Sequence, residues 1–298
     1  MKFTLSKQVK DAINNNRPVL ALESTIIASG MPYPQNKEFY NKAAEICYNL
    51  DVVPAAIAII NGIVHVGLDQ NQVEHIATED SVHKISKREI GVCIQRRFSG
   101  ATTVSSTSHI ASIVGINVFS TGGIGGVHKD YQSTLDMSQD LYSLRETPLI
   151  VVCSGVKSFL DIEKTIEALE TFGVTLLGYK TNTFPLFYSS SSSFSLPFSV
   201  DKVEEVVHVF KYNIESGLRS SLLVLNPVPK PDQIPEEIIN KIISKSISKM
   251  KINKVVGKET TPFLLKDIAK ETKNKSLDTN ISLALNNVRL GAEIAKCF

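Results

Sequence analysis

The sequence predicts an α/β fold with a mixed, mostly parallel central sheet, and three observations carry that expectation. The apolar runs 116–119 and 149–152 empty into Thr121-Gly-Gly-Ile-Gly-Gly-Val-His128 and Cys153-Ser-Gly-Val-Lys157. Brief apolar runs closed by Gly and Ser mark strands buried on both faces, as in parallel sheets. A second signal is the pair of apolar segments 54–60 and 63–66 around Asn61-Gly62, a hairpin dipeptide that adds an antiparallel pair. The third is the amphipathic segment 158–172 directly after the second run, as expected of a helix that crosses back over a sheet.

Taken in order, 6–16 reads as a short helix capped by Ser6, and 18–22 as a strand ending at Glu23-Ser-Thr25. A carboxylate directly after a buried strand is costly unless it is paired or used. A turn at 30–34 leads to a helix over 35–50, and the hairpin follows. The segment 82–85 is a short strand carrying His83 and Lys84. Ser86 caps a helix over 87–98, Ser99-Gly100 ends it, and 102–114 forms another with hydroxyls crowded on its first turn. Such a helix start either caps itself or holds an anion. Beyond the central stretch come a strand at 174–177, a serine run at 189–193 read as a mobile surface loop or lid, and a helix at 201–216. A strand at 221–225 then ends at Asn226-Pro-Val-Pro229, and helices follow at 235–250, from Thr261-Pro262, and at 276–296.

Composition narrows the function. The 298 residues suit one large α/β domain or two smaller ones, and 43% of them are hydrophobic, enough for a large core. With 32 basic and 30 acidic residues the net charge is +2, which argues against nucleic acid as a partner. Arg96-Arg97 and the lysine-rich helix at 235–250 read as solvated faces. Four cysteines without a Cys-x-x-Cys point to reduced thiols, no zinc site and a cytoplasmic setting. No apolar run reaches the ~20 residues of a membrane helix.

Four predicted strands end in polar or reactive groups: Glu23, Thr121, the loop from Ser154 to Lys157, and Asn226. In a parallel sheet such ends gather at one edge, where ligands bind. Thr121, His128, Ser154 and Lys157 are therefore expected in one crevice, with Asp136 and Asp140 between them. The glycine loop lacks the dinucleotide spacing, since His128 stands where a third glycine would be, and it lacks a Gly-Lys-Ser/Thr ending. It serves either tight turns or backbone contact with an anion. A lysine beyond a buried strand can attack a carbonyl carbon as an amine, a carboxylate can move protons, and an Asp between glycine loops can hold a hard cation. Read from the residues alone, this is an α/β enzyme acting on a small anionic substrate.

The strings that carry this chemistry resemble the pseudouridine-5′-phosphate glycosidase family, which includes the indigoidine synthase A-like proteins. They are ALESTIIASGMPYPQN (21–36), PAAIAIINGIVHVGL (54–68), KISKRE (84–89), SGATTVSST (99–107), INVFSTGGIGGVH (116–128), TLDMSQDL (134–141), VVCSGVKSFLD (151–161), LETFGV (169–174), NPVP (226–229) and GKETTPFLL (257–265). They span most of the chain in order, consistent with one domain over 1–298; Ser99 stands where the family usually has Asn. The resemblance implies a three-layer αβα fold and a homotrimer. It implies reversible cleavage of the C–C bond of pseudouridine 5′-phosphate to uracil and ribose 5-phosphate, through a lysine imine with ring-opened ribose. By motif, Lys157 is the nucleophile, Glu23 the proton donor, and Asp136 the ligand of a divalent metal, typically manganese. Lys84, Val104, Ser138, Gln139 and Asp140 are implied to bind substrate. Thr121, His128 and Asn280 are added here as substrate-binding candidates. Two alternatives differ in class: a phosphosugar-binding protein without catalysis, and an ordinary nucleosidase or nicotinamide enzyme.

Overall fold

The structure, a computed structural model, describes residues 3–255 and 257–298. Its strands are β1 (Phe3–Leu5), β2 (Val19–Glu23), β3 (Val53–Ile60), β4 (Ile63–Val66), β5 (His83–Ile85), β6 (Gly100–Thr102), β7 (Val118–Ser120), β8 (Ile150–Cys153), β9 (Thr175–Tyr179), β10 (Ser199–Val200) and β11 (Leu222–Leu225). The α-helices are α1 (Lys7–Asn14), α2 (Gln35–Asn49), α3 (Gln70–Thr78), α4 (Ile90–Gln95), α5 (Val104–Ile113), α6 (Tyr131–Thr134), α7 (Gln139–Glu146), α8 (Ile162–Thr171), α9 (Val203–Glu215), α10 (Glu236–Ile252), α11 (Thr260–Glu271) and α12 (Lys275–Ala295).

One mixed sheet runs in the order β1-β4-β3-β2-β7-β8-β11-β9-β10. Its pairs are parallel except at β3–β4, the predicted hairpin, and β3–β6. The central strands earn their place by composition: Ile150, Val151, Val152 and Cys153 of β8 are all fully buried. Each such aliphatic side chain contributes about 1.5–3 kcal/mol by leaving water. Helices flank the sheet in three layers. The long α12 lies along β2, β7 and β8 and against α2 and α9, while α5 lies along β2, β3 and β7 and against α7.

Two features place the site. The chain winds outward in opposite directions from the β2–β7 pair, so a crevice opens beyond their C-terminal ends. Register puts Leu22, Ser120, Val152 and Val224 in one row, so that Glu23 and Thr121 emerge side by side. The second feature is a branch. β3 outruns β2, and β6 takes up the freed edge at Ala58 and Ile59, carrying β5 with it. Ser24 seals the fork: its hydroxyl donates to Ile57 O at 2.6 Å and accepts from Thr102 N at 2.8 Å.

Several expected boundaries shift for local reasons. Gly100 to Thr102 extends into β6 rather than opening α5, because Thr102 hydrogen-bonds across the fork to Ile57 O at 2.5 Å. The helix after Lys157 begins at Ile162, capped by Asp161, because Ser158 is spent on Leu186 O at 2.5 Å. The 87–98 helix is broken into a 3₁₀ turn, Lys87–Glu89, and the short α4. The serine run is not a loose lid. Ser189 is buried and donates to Ile234 O at 2.6 Å, and Ser190 donates to Gln233 Oε1 at 2.7 Å, which ties the run to the segment before α10.

Candidate active site

The glycine loop prolongs the β7–β8 pairing past the strands themselves. Thr121 N donates to Val152 O, Ser154 N to Gly122 O, Ile124 N to Gly155 O, and Lys157 N to Ile124 O, at 2.9–3.2 Å. Lys157 is thus delivered by a continued parallel ladder, not by a free loop. Two glycines are required for this path. Gly155 has φ +86°, and any side chain there would run into Pro185 O; a Cβ on Gly125 would run into Ser138 Oγ and Asp140 Oδ2.

These loops form one side of a cleft of about 340 Å³. Glu23 at the end of β2 and Lys157 on the loop after β8 line it, with Lys84 of β5 and Val104 at the start of α5. Asp136, Ser138, Gln139, Asp140 and His128 also line it, as does Asn280 of α12. Of the residues singled out in the sequence, Thr121 and Ser154 do not line it: Thr121 sits behind Glu23 and donates its hydroxyl to Glu23 Oε1, and Ser154 is fully buried against Asn287, 3.1 Å from its Nδ2. Thr25 donates to Oε2, so both oxygens of this 7% exposed carboxylate are held by hydroxyls. Asn226, grouped with these strand ends in the sequence, shares the edge but not the cleft. It is buried and donates to Asn287 Oδ1 at 2.9 Å.

The Ser138–Asp140 segment is mostly engaged with the protein itself. Asp140 Oδ1 accepts from Ser105 N at 3.0 Å and Oδ2 from Gly125 N at 2.9 Å. Its carboxylate therefore clamps the start of α5 to the glycine loop. Gln139 Oε1 accepts from Arg88 N at 3.1 Å, and Ser138 caps α7. Sequence reading missed the apolar walls: Ile26, Met137, Leu160, Phe187, Pro262 and Leu265. Phe187, at φ +61°, is a bulky residue in left-handed backbone beside a ligand cleft. Nothing in its sequence context announces this. The turn Ile26–Gly30 is π-helical, a form that gathers at functional sites.

Cys153 adjoins the Lys157 loop but is fully buried, and burial pushes its thiol up to about 12. It remains a packed thiol rather than a nucleophile. The donor set for a metal is small. Among the described residues no three His, Cys, Asp or Glu cluster together. Asp136, with its side chain 45% exposed, opens onto the cleft, and its Oδ2 lies 3.8 Å from His128 Nε2. One open carboxylate beside an imidazole fits a hard cation that keeps most of its water.

A buried acid, a cleft lysine and a backbone-rich loop at the switch point of a mostly parallel sheet are the arrangement of an α/β enzyme. The family model for indigoidine synthase A like protein matches residues 8–297. A pseudouridine-5′-phosphate glycosidase of Petrotoga mobilis is 44% identical over 294 residues, covering 99% of this chain and 96% of its own. That of Escherichia coli K12 is 44% identical over 293 residues, covering 98% and 94%. Among solved structures, an indigoidine synthase A-like protein from Thermotoga maritima superposes with a TM-score of 0.88 at 37% identity, over 93% of this chain and 92% of that one. The prealnumycin C-glycosynthase AlnA, in complex with ribulose 5-phosphate, superposes at 0.91 with 31% identity, over 100% and 97%. The chain belongs to the indigoidine synthase A-like family.

Proposed function

We propose that this protein cleaves the C–C glycosidic bond of pseudouridine 5′-phosphate, reversibly, to uracil and ribose 5-phosphate. The observation that carries the reading is Lys157 and Glu23 in one cleft with Lys84 on the facing branch. Relatives named for this activity cover nearly the whole chain. A C–C bond offers no leaving oxygen to protonate, so two carboxylates of the ordinary glycosidase kind would not serve. An amine does. Lys157 Nζ bonds to C1′ as the C1′–O4′ bond breaks and O4′ takes a proton. The nitrogen lone pair then forms the C1′=N imine as the bond from C1′ to uracil C5 breaks, and C5 takes a proton. Water finally hydrolyses the imine and frees the lysine. Glu23, held by Thr25 and Thr121 at the cleft wall, is the proton donor.

Lys84, with Val104, Ser138 and Gln139, binds the phosphate side, where Asp140 shapes the end by holding Ser105 N and Gly125 N, and Asn280 is assigned to the base. Manganese, as expected of the family, would be held by Asp136 with His128 adjacent, and when bound it supplies positive charge beside the substrate's oxygens. The same reading takes the active form as a homotrimer in the cytoplasm, acting on a small molecule alone. No helix among the described residues is long and apolar enough to cross a membrane. The test is release of uracil from pseudouridine 5′-phosphate, with and without chelator, against uridine 5′-phosphate. Turnover of the C-linked isomer alone, lost on chelation and restored by manganese, is expected. Turnover of uridine 5′-phosphate would indicate an ordinary nucleosidase, and binding without turnover a phosphosugar-binding protein.

A further inference from the structure

A fully buried asparagine sits on the apolar face of α12, among Leu283, Ala284, Val288 and Leu290. Burying an amide there is costly unless all its groups are bonded. Asn287 meets that condition at the sheet edge rather than within its own helix. Its Nδ2 lies 2.9 Å from Thr121 O, 3.3 Å from Gly122 O and 3.1 Å from Ser154 Oγ, and its Oδ1 accepts from Asn226 Nδ2 at 2.9 Å. One side chain thus ties the ends of β7, β8 and β11. It does so where the regular strands stop and the prolonged ladder towards Lys157 begins. Thr121, whose carbonyl it holds, is also the residue whose hydroxyl holds Glu23.

We propose that Asn287 is a positioning residue for the reaction. It fixes the Lys157 loop relative to Glu23 by bracing Thr121 and Ser154, and it touches no substrate. The inference rests on the function proposed above and adds the prediction that bracing governs the chemical step, not binding. An error of about 1 Å between reacting groups can cost about 100-fold in rate.

The experiment is steady-state kinetics on pseudouridine 5′-phosphate, well below each variant's melting temperature and normalised to folded protein. Asn287→Ala and Asn287→Asp are compared with wild type; the carboxylate keeps the bond from Asn226 but cannot donate to the carbonyls. The expected result is a fall in kcat of about 30- to 100-fold in both, with KM within about threefold of wild type. Slower borohydride trapping with ribose 5-phosphate should accompany it. A kcat within about twofold of wild type, or a loss carried by KM, would overturn the role. Should neither variant fold, Asn226→Ala removes only the outer partner. It should lower kcat by about three- to tenfold at unchanged KM, and a normal kcat there would overturn the role equally. Wild-type protein that does not turn over would defeat the functional reading, and this role with it. Wild-type turnover with unaffected variants would defeat the positioning role alone.

Discussion

The two sides of the cleft are built from different interactions. On the sheet side, Glu23 is set by two hydroxyls, and the loops behind it by main-chain ladders and the amides of Asn226 and Asn287, all in the protein interior. On the branch side, Lys84 belongs to a short edge strand: buried hydroxyls of Ser24, Thr102 and Ser106 hold its base, but the turn that follows it is held by partly exposed charges. Lys87 pairs with Glu146 at 2.7 Å, and Arg88, 71% exposed, pairs with Glu89 at 2.6 Å. Buried neutral bonds fix geometry and respond little to solvent. Exposed ion pairs contribute about 0–1 kcal/mol each and fade with salt. The lesson is a division of labour: the sheet side should govern kcat and the branch side KM.

The comparison breaks most severely at Lys157. Arginine keeps the charge but cannot become a neutral amine, so Lys157→Arg should fold and lose at least about 10⁴-fold in kcat. Quench-flow assay of uracil release would measure it, and a raised KM with near-normal kcat would mean the lysine only screens phosphate. Glu23→Gln comes next. It is nearly isosteric and can accept from Thr25 and Thr121, yet it cannot donate a carboxyl proton. A kcat fall of about 10²–10⁴-fold with little change in KM is expected. Lys84→Met should act on the other side of the cleft. Losing a charged hydrogen bond costs about 1.5–3 kcal/mol, so KM should rise about 10- to 150-fold while kcat changes little. Raising the salt concentration should move wild-type KM in the same direction, and unphosphorylated pseudouridine should be a far poorer substrate.

The smallest effect lies farthest from the chemistry. Glu271 of α11 receives Lys245 and Lys249 of α10, whose hydrogen bonds hold its carboxyl down at about 2. A depressed carboxylate adds stability above its ordinary range, lost as pH falls from that range through about 2. The group is partly exposed, and its lysine partners more so, so screening keeps the effect small. Lys245→Ala should leave kcat and KM unchanged and shift Tm at neutral pH by no more than about 2 °C, the difference vanishing near pH 2. A larger shift in a melting curve would mean that the α10–α11 pair supports the cleft wall at Thr261, Pro262 and Leu265.

What the sequence revealed follows its periodicities. The β3–β4 hairpin, the long α2 and α12, and the buried β8 and β11 have strong local patterns and appear where expected. The strand-end rule put Glu23 and Lys157 at one edge without any alignment. What stayed hidden depends on contacts between distant residues. β6 exists because β3 outruns β2, a fact about sheet register that the three residues Gly100 to Thr102 cannot express. Asp140 reads as a ligand group, yet its carboxylate is taken by Ser105 N and Gly125 N. Asn287 resembles any polar residue on an amphipathic helix until its partners on three strand ends are seen. The serine run suggested a mobile lid from composition alone, but Ile234 and Gln233, more than forty residues away, decide its state.

The central claim is that Lys157 forms an imine with the sugar while Lys84, the other lysine lining this cleft among the described residues, does not. Borohydride reduction with ribose 5-phosphate, followed by peptide mapping, tests it directly. A ribosyl phosphate adduct on Lys157 alone, absent from Lys157→Ala, is the expected result. An adduct on Lys84, or none on the wild type under conditions of turnover, would contradict it.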